Sequence, residues 1–200
     1  MISDQEYWDQ FYSTTRLELE PSSFAKHVAE RYLTDAMKLL ELGCGNGRDS
    51  LFFARNNTEV TALDLSSKSI ENLAGLNARN VEFLNQDFST LSDFTELDCI
   101  YSRFTMHSID DETEQRVFDQ LPQVLRVGGH FFMEARSTKD ESLEKVFGTD
   151  HFRRYLDFEK TVKKLEALGF SMIEKVESQG LSPYKEEDPF LIRLVAKRLR

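Results

Sequence analysis

The sequence predicts an α/β fold in which a doubly wound parallel sheet carries helices on both faces. Short apolar, strand-like runs alternate with helical segments between residues 38 and 101, and strands separated by helices of this length are joined by right-handed crossovers in a parallel sheet. Gly43, Gly45 and Gly47 follow the first run directly, which is typical of a tight turn between a buried strand and a helix. With 200 residues and a hydrophobic content of 40%, the chain can bury one sizeable core, so we expect a single domain over residues 1–200.

Composition and charge argue against several classes of protein. The formal net charge of -10 repels nucleic acid and anionic membranes on average, so we expect neither as a partner. The two cysteines, Cys44 and Cys99, are too few for a disulfide framework and suit a reducing compartment. No apolar run approaches the roughly 20 residues of a membrane helix, and the N-terminus lacks a signal sequence. The sequence therefore predicts a soluble, cytoplasmic protein.

The N-terminal 35 residues are predicted to form two helices that precede the sheet. Tyr7 and Phe11, and likewise Trp8 and Tyr12, are four residues apart, so each pair shares one face of a helix. A second helix is expected after Pro21, because an early proline followed by serine is a helix start signal. Two interpretations stay open: the aromatic face packs on the core, or this segment is a lid over a bound molecule. As a lid, it would use Tyr7 and Trp8 for the cofactor and Tyr12 for the substrate.

The elements that follow are predicted in the order strand, helix, strand, helix, strand, strand. Short apolar runs indicate the strands, and apolar residues at helical spacing indicate the helices. Ser66 is expected to cap the second of these helices, because a serine oxygen accepts an unpaired N–H of the first helical turn. The predicted strands are residues 38–42, 59–63, 81–84 and 97–101, and the predicted helices are residues 49–55 and 67–77.

Polar residues follow each predicted strand, where an open α/β sheet binds its ligand. The crevice of such a sheet lies beyond the carboxyl ends of its strands. Asp64 ends the second strand, 21 positions after Gly43, and this spacing suits a carboxylate that binds the two hydroxyls of a ribose. Asp87 follows the third strand, and residues 102–107 follow the fourth. We therefore expect the polar groups of four strand ends to form one nucleotide site.

The glycine turn is a poor match to a dinucleotide site. The pattern G-x-G-x-x-G places its third glycine three positions after the second, whereas Gly47 follows Gly45 after two and Arg48 stands in the place of that glycine. Glu41, just before the turn, fits poorly beside a diphosphate. A carboxylate there suits a ligand with an ammonium group and no phosphate, and S-adenosylmethionine is such a ligand.

The stretch from residue 41 to 47, Glu-Leu-Gly-Cys-Gly-Asn-Gly, resembles the first motif of the class I S-adenosylmethionine-dependent methyltransferases. The resemblance covers about residues 37–135 and includes Asp64, Asp87 and the run 125–129. It implies a Rossmann-like sheet of seven strands with the last strand antiparallel, and a chain that binds S-adenosylmethionine and transfers its methyl group. By this resemblance the late strands would be residues 130–135, 171–176 and 190–196.

The same resemblance implies which residues hold the cofactor. The glycine turn would contact the methionine part, Asp64 would bind the ribose hydroxyls, and Asp87 with Phe88 would contact the adenine. Three alternatives stay open: Asp64 as only a helix cap, Asp87 as a solvated loop acid, and Glu41 as a structural strand residue. Together with the aromatic residues above, the predicted cofactor contacts are Tyr7, Trp8, Glu41, Gly43, Cys44, Gly45, Asp64, Leu65, Asp87, Phe88 and Ser102.

The later half of the chain resembles a narrower, bacterial group. It is similar to methyltransferases found with surface-polysaccharide and capsule biosynthesis and, more distantly, to the tellurite-resistance methyltransferases. Some of the former methylate phosphate groups, which implies a small anionic acceptor. The segments that carry this resemblance are residues 102–109, 134–137, 151–154 and 178–184.

Basic residues gather at the strand ends of this half, although the chain is acidic overall. Arginine binds phosphate or carboxylate through two parallel hydrogen bonds, so the cluster favours an anionic small molecule, with O-methylation of a phosphate or a sugar acid as the leading hypothesis. The alternative is ordinary ion pairing, since acidic residues lie close in sequence at positions 110, 111, 140, 141, 186 and 187. The predicted substrate contacts are Tyr12, Arg103, His107, Arg136, Arg153, Arg154 and Tyr184.

Arg103 and His107 are the predicted catalytic residues. A neutral imidazole accepts a proton near pH 7, so His107 could act as a base or could orient the acceptor. Residues 137–158 are predicted to be an insertion that closes the pocket on the substrate side, and no metal ion is expected. Three other functions stay open: a non-catalytic S-adenosylmethionine-binding protein, another reaction on the same fold, and methylation of a protein.

Overall fold

The computed structural model describes residues 4–14, 20–76, 78–143 and 152–200. No helix in these ranges is both long enough and apolar enough to cross a lipid bilayer. The helices are α1 (Asp4–Thr14), α2 (Ser23–Tyr32), α3 (Arg48–Arg55), α4 (Ser67–Ala74), α5 (Asp111–Val124) and α6 (Phe158–Ala167). The strands are β1 (Lys38–Leu42), β2 (Glu59–Asp64), β3 (Val81–Asn85), β4 (Leu97–Arg103), β5 (Leu125–Arg136), β6 (Phe170–Ser178) and β7 (Leu191–Arg198). Two 3₁₀ turns cover Met106–Ser108 and Thr138–Asp140.

The strands form a seven-stranded sheet in the order β3-β2-β1-β4-β5-β7-β6. β1, β2 and β3 pair in parallel, as do β4 and β5. β7 is antiparallel to both β5 and β6. The structure therefore confirms the predicted Rossmann-like α/β sheet with an antiparallel last strand.

Two compact units make up the chain, Met1–Phe88 and Ser89–Arg200. In the first unit, Leu42 of β1 pairs with Leu63 of β2, and Asp64 of β2 pairs with Asn85 of β3. The three strands therefore end at the same edge of the sheet, and the loops that follow them start side by side. The last four residues of β1 are all buried, as expected of a parallel strand covered on both faces.

In the second unit, the register of β5 sets the neighbours of the predicted acceptor residues. Arg103 at the end of β4 pairs with Glu134 of β5. Glu134 is also paired with Arg193 of β7, and Arg136 at the end of β5 with Leu191. Two arginines on flanking strands thus lie beside one glutamate on the central strand, so the sheet itself brings these opposite charges together.

The predicted element bounds need two corrections. α4 ends at Ala74 rather than at residue 77, because Gly75 follows as its C-cap; residue 77 lies outside the described residues. β5 begins at Leu125, five positions before its predicted start at residue 130. A Cβ atom at Gly129 would lie 3.0 Å from the carbonyl oxygen of Asp98, so this glycine lets the strand begin close to β4.

Candidate functional site

A glycine turn lies between β1 and α3. Its φ angles are 74° at Gly43, 52° at Gly45 and 73° at Gly47, a region that side chains with a Cβ rarely occupy. The N–H groups of Gly43 and Cys44 donate to the carbonyl oxygen of Leu63 at 2.9 and 2.8 Å. The N–H of Gly47 donates to the carbonyl oxygen of Cys44 at 2.9 Å. Because these amides are bonded within the unit, they form no cradle for a diphosphate, which agrees with the prediction of a phosphate-free ligand.

Asp64 joins this turn to the start of α4. Its Oδ2 accepts the Gly45 N–H at 2.7 Å, and its Oδ1 accepts the Ser66 N–H at 2.9 Å. Burial raises the pKa of Asp64, and the two backbone hydrogen bonds oppose that rise. The N-cap of α4 is Ser66, whose Oγ accepts the Ser69 N–H at 3.1 Å, so the helix has its own cap. Each carboxylate oxygen has a second acceptor position, which leaves Asp64 able to accept ligand hydroxyls.

Glu41 is buried near the end of β1. Its carboxylate accepts a hydrogen bond from Ser50 Oγ, on the first turns of α3. Ser50 is a site residue that the sequence analysis missed, because a serine nine positions after Glu41 carries no signal of its own. A buried carboxylate costs free energy unless it is hydrogen-bonded or paired with a cation, and Ser50 Oγ supplies Glu41 with such a hydrogen bond.

The loop after β3 lies beside the loop that contains Asp64. Asn85 Nδ2 donates to the carbonyl oxygens of Asp64 at 3.1 Å and Leu65 at 2.9 Å, and so ties the two loops together. Asp87 is exposed and Phe88 is buried. Asn85 directly follows the strand predicted over residues 81–84, among the polar residues expected at this strand end, but it had been given no contact of its own.

Tyr12 of α1 lies against the glycine turn. A Cβ atom at Gly45 would collide with Tyr12 Oη. Burial raises the pKa of Tyr12, and the charge of Asp64 adds to the rise, so the phenol keeps its proton at neutral pH. The Trp8 ring stacks on Tyr12 with centroids 6.1 Å apart, and Tyr7 meets Trp8 edge-on at 5.0 Å. Tyr12 was predicted as a substrate contact, and the structure places it beside residues predicted for the cofactor.

The end of β4, in the second unit, carries Ser102 and Arg103. Ser102 Oγ is buried and has no hydrogen-bond partner. Arg103 Nε donates to Glu134 Oε1 at 2.9 Å, and its Nη2 donates to Ser182 Oγ at 2.8 Å. Its guanidinium carbon lies 4.2 Å from the centre of the Phe104 ring. The chain's own groups therefore hold Arg103, whereas Ser102 retains an unmet hydrogen-bonding group.

Arg136 and Arg154 are also paired with carboxylates. Arg136 Nη1 donates to Asp140 at 2.6 Å and its Nη2 to Glu187 at 3.0 Å. Arg154 Nη1 donates to Asp111 at 2.5 Å, and its Nε and Nη2 reach two backbone carbonyl oxygens. These carboxylates are among those that the ion-pairing alternative named, so that alternative accounts for the placement of both arginines.

Arg153 differs from the other predicted arginines. It is half-buried, and its Nε is buried without a hydrogen-bond partner. Burial lowers the pKa of Arg153, and the positive charge of Arg136 lowers it further. A buried donor without an acceptor costs about 1–3 kcal/mol. Among the arginines predicted to contact the substrate, Arg153 therefore has an N–H group that could donate to a ligand.

His107 lies in the 3₁₀ turn Met106–Ser108 and is buried. Its Nδ1 accepts the backbone N–H of Arg136 at 3.3 Å. A neutral imidazole that accepts at Nδ1 carries its proton on Nε2. In this tautomer neither ring nitrogen offers a lone pair to a substrate proton. This geometry favours the orienting role of His107 over the role of a base.

Tyr184 lies in the loop between β6 and β7. Tyr184 is 52% exposed, and its backbone N–H donates to the carbonyl oxygen of Glu187 at 2.8 Å. The predicted insertion, residues 137–158, is described at its two ends, where Ser137 bridges to Leu156. Residues 144–151, which include His151, lie outside the described residues.

Comparison with known sequences identifies relatives of this chain. Residues 39–129 match the family model of a methyltransferase domain. The chain is 25% identical over 138 residues to phosphoethanolamine N-methyltransferase 1 of Zea mays, which covers 66% of this chain and 28% of the relative. It is 24% identical over 140 residues to TehB of Haemophilus influenzae, a probable S-adenosyl-L-methionine-dependent methyltransferase, covering 68% of this chain and 47% of TehB. The chain thus spans less than half the length of these two relatives.

A solved methyltransferase shares the fold. The 1,6-didemethyltoxoflavin-N1-methyltransferase of Burkholderia thailandensis, solved with 1,6-didemethyltoxoflavin and S-adenosylhomocysteine, superposes with a TM-score of 0.72. The superposition covers 100% of this chain and 92% of that enzyme at 16% identity, so the likeness concerns the fold. The strand order agrees with this likeness of fold, and residues 39–129 of this chain match the family model of a methyltransferase domain.

Proposed function

We propose that this protein is an S-adenosylmethionine-dependent methyltransferase whose acceptor is a small molecule with an anionic group. The observation that carries the proposal is the pair of buried carboxylates at the glycine turn, Glu41 and Asp64. One carboxylate suits an ammonium group and the other suits two ribose hydroxyls. The methyltransferase domain match, and the S-adenosylhomocysteine bound to the B. thailandensis enzyme, support the same cofactor.

The residues of the first unit fit this cofactor. Gly45 has no Cβ, so the methionine part would lie against it and the neighbouring turn residues Gly43 and Cys44 once the Tyr12 phenol has moved away. Glu41 would take the ammonium group, and Asp64 would accept from the ribose hydroxyls. The adenine would lie among Leu65, Asp87 and Phe88, and the further contacts proposed for the cofactor are Tyr7, Trp8 and Ser102.

When bound, S-adenosylmethionine would supply a methyl group on a sulfonium: the acceptor atom would bond to the methyl carbon as the carbon–sulfur bond breaks, with S-adenosylhomocysteine as the leaving group. The protein's part is to hold donor and acceptor in line, and such positioning can supply about 7–11 kcal/mol of the barrier. If the acceptor atom is an oxygen of the anionic group itself, it is already ionised, so no proton has to be removed. His107 would then orient the acceptor rather than remove a proton from it, in line with the backbone N–H at its Nδ1.

Arg153 is the residue that we assign to the acceptor's anionic group. Its partner-free Nε supports this assignment, because a guanidinium binds a phosphate or carboxylate through parallel N–H donors. Carboxylates of the second unit form ion pairs with Arg103, Arg136 and Arg154. These three arginines would therefore shape the substrate pocket rather than bind the anionic group. An acceptor that carries a phosphate or a sugar carboxylate fits this assignment, with methyl transfer to oxygen favoured.

A second candidate is transfer to the nitrogen of a phosphate-bearing amine. The names of two relatives favour it, since the Zea mays and Triticum aestivum proteins are phosphoethanolamine N-methyltransferases at 25% and 24% identity. In this case the phosphate would bind Arg153 and the amine would face the methyl donor. The two candidates thus share the anionic group and differ in the acceptor atom.

Label transfer tests the proposal. The purified protein is incubated with methyl-labelled S-adenosylmethionine and a panel of sugar phosphates, sugar acids and phosphorylated amines. Label on a sugar phosphate or a sugar acid supports O-methylation, and label on a phosphorylated amine supports the second candidate. Cofactor binding in calorimetry without transfer to this panel or to a cell extract would favour the non-catalytic alternative. Absence of any cofactor binding would contradict the proposal as a whole.

A further inference from the structure

We propose that α1 is a gate over the glycine turn, held shut by Asp9 on the first turn of α4. Asp9 Oδ1 accepts a hydrogen bond from Ser66 Oγ at 2.6 Å and from the backbone N–H of Lys68 at 3.1 Å. The first N–H groups of a helix have no partner within the helix, and the helix dipole favours a negative charge there. Asp9 therefore makes, from a different helix, the contact that an acidic residue in α4 itself would make.

A second anchor holds the end of α1. Asn72 Nδ2, on the last turn of α4, donates to the carbonyl oxygen of Tyr12 at 2.9 Å. Asp9 and Tyr12 are three residues apart, so the two anchors fix one face of α1 along α4. This orientation carries the Tyr12 phenol onto Gly45, where even an added Cβ would collide with it.

The position of Tyr12 is what makes α1 a gate. A ligand that lies on the glycine turn must displace the phenol from Gly45 or enter while α1 is away. Ser66 is buried, but Asp9 is half-buried and Asn72 is exposed, so water can reach the Asp9 carboxylate and the Asn72 amide and replace their partners when α1 moves. We therefore infer that α1 opens for a ligand to enter and opens again for it to leave. The identity of that ligand as S-adenosylmethionine or its product rests on the proposed function, whereas the closed position of α1 does not.

The free protein offers a test that needs no ligand. Trp8 is the one tryptophan of the sequence, and it stacks on Tyr12, so its fluorescence reports on α1. We expect Asp9→Ala to increase acrylamide quenching of Trp8, with Asp9→Asn between it and the wild type because the amide keeps an acceptor but loses the charge. Glu71→Gln is the matched control, since Glu71 lies on α4 and pairs with the exposed Lys68 Nζ at 2.8 Å. Equal quenching in all four proteins would overturn the proposal.

Ligand exchange gives the second test. In stopped-flow fluorescence with S-adenosylhomocysteine, Asp9→Ala should raise the association and dissociation rates together by about tenfold, the scale of a lost charge-assisted hydrogen bond, and should change Kd by less than about twofold. Asn72→Ala should act in the same direction through the other anchor. A rise in the dissociation rate alone would overturn the gate, because it would mean that α1 only adds contacts to the bound ligand. If the wild type binds no S-adenosylhomocysteine but the Trp8 result holds, the proposed cofactor fails and the closed α1 stands.

Discussion

The half-buried side chain of Arg153 has a free-energy cost that the neighbouring Arg136 does not have. The carboxylates of Asp140 and Glu187 are both bonded to Arg136, while the buried Nε of Arg153 has no partner. An unmet donor of this kind calls for an explanation in a native structure. A phosphate or carboxylate of the acceptor would supply the missing acceptor atom and would offset the repulsion from Arg136.

Substitution of Arg153 should weaken binding of the acceptor and leave binding of the cofactor unchanged. We expect Arg153→Gln to raise KM for an anionic acceptor by tenfold or more, since a hydrogen bond to a charged group contributes about 1.5–3 kcal/mol. Arg153→Lys should lie between, because an ammonium keeps the charge without the planar fork. Steady-state kinetics with the acceptor found by label transfer would check this, with the exposed Arg116→Gln as control. An unchanged KM in Arg153→Gln would refute the assignment.

Gly45 and Gly75 form a matched pair for a test of the turn. At Gly45, alanine meets a φ of 52° and Tyr12 Oη, whereas Gly75 has a φ of -77° and open space at its Cβ position. We expect Gly45→Ala to lose about 1–2 kcal/mol of unfolding free energy and to weaken cofactor binding. Gly75→Ala should be neutral or gain up to about 1 kcal/mol. Urea unfolding and calorimetry measure both effects, and equal stability of the two variants would show that the turn is not strained.

At the scale of elements, local signals predicted the strands well and the contacts between elements poorly. β1 has its predicted bounds, because its apolar run is followed directly by the glycine turn, where the strand must end. The start of α4 follows from Ser66 in the same local way. The place of Tyr12 on Gly45 depends on how α1 docks on α4, and no pattern within α1 encodes that. The Asp9 anchor was missed for the same reason, since its partners lie 57 and 59 residues away.

The hydrogen bonds between the start of α2 and α3 should contribute strongly to the stability of the first unit. Asp49 on α3 is buried and accepts both the N–H and the Oγ of Ser22, each at 2.7 Å. We expect Asp49→Ala to lower the free energy of unfolding by about 2–4 kcal/mol, because it leaves two buried donors of Ser22 without their acceptor. Urea denaturation would measure this, with Glu20→Gln as control, since that exposed pair with Lys26 contributes little. A loss below about 1 kcal/mol would mean that water replaces the carboxylate.

At the scale of the whole molecule, the cofactor was easier to predict than the acceptor. The cofactor motif is local: one turn and the next strand ends carry it. The state of each arginine depends on partners far along the chain, 31 residues away for Arg103, 51 for Arg136 and 43 for Arg154. A sequence shows that opposite charges are available, and only the fold shows which of them meet.

The two thiols can test whether the chain unfolds as the single domain that its sequence predicts. Cys44 belongs to the first compact unit and Cys99 to the second, and both are buried. Burial raises the pKa of Cys99 to about 12 and raises that of Cys44 well above its usual value. At a pKa of about 12, the Cys99 thiol is ionised to roughly one part in ten thousand at pH 8. The raised pKa of Cys44 acts in the same direction, so the folded protein should resist iodoacetamide at both sites.

In a urea series, we expect both cysteines to become reactive at the same urea concentration, as read by mass spectrometry of the labelled peptides. The reason is that a single domain is usually lost in one cooperative transition. S-adenosylhomocysteine should move both transitions to higher urea together, since a ligand that binds only the native state stabilises all of it. Labelling of Cys44 at clearly lower urea than Cys99, or a ligand shift confined to Cys44, would mean that the units unfold separately and that the single-domain prediction is wrong.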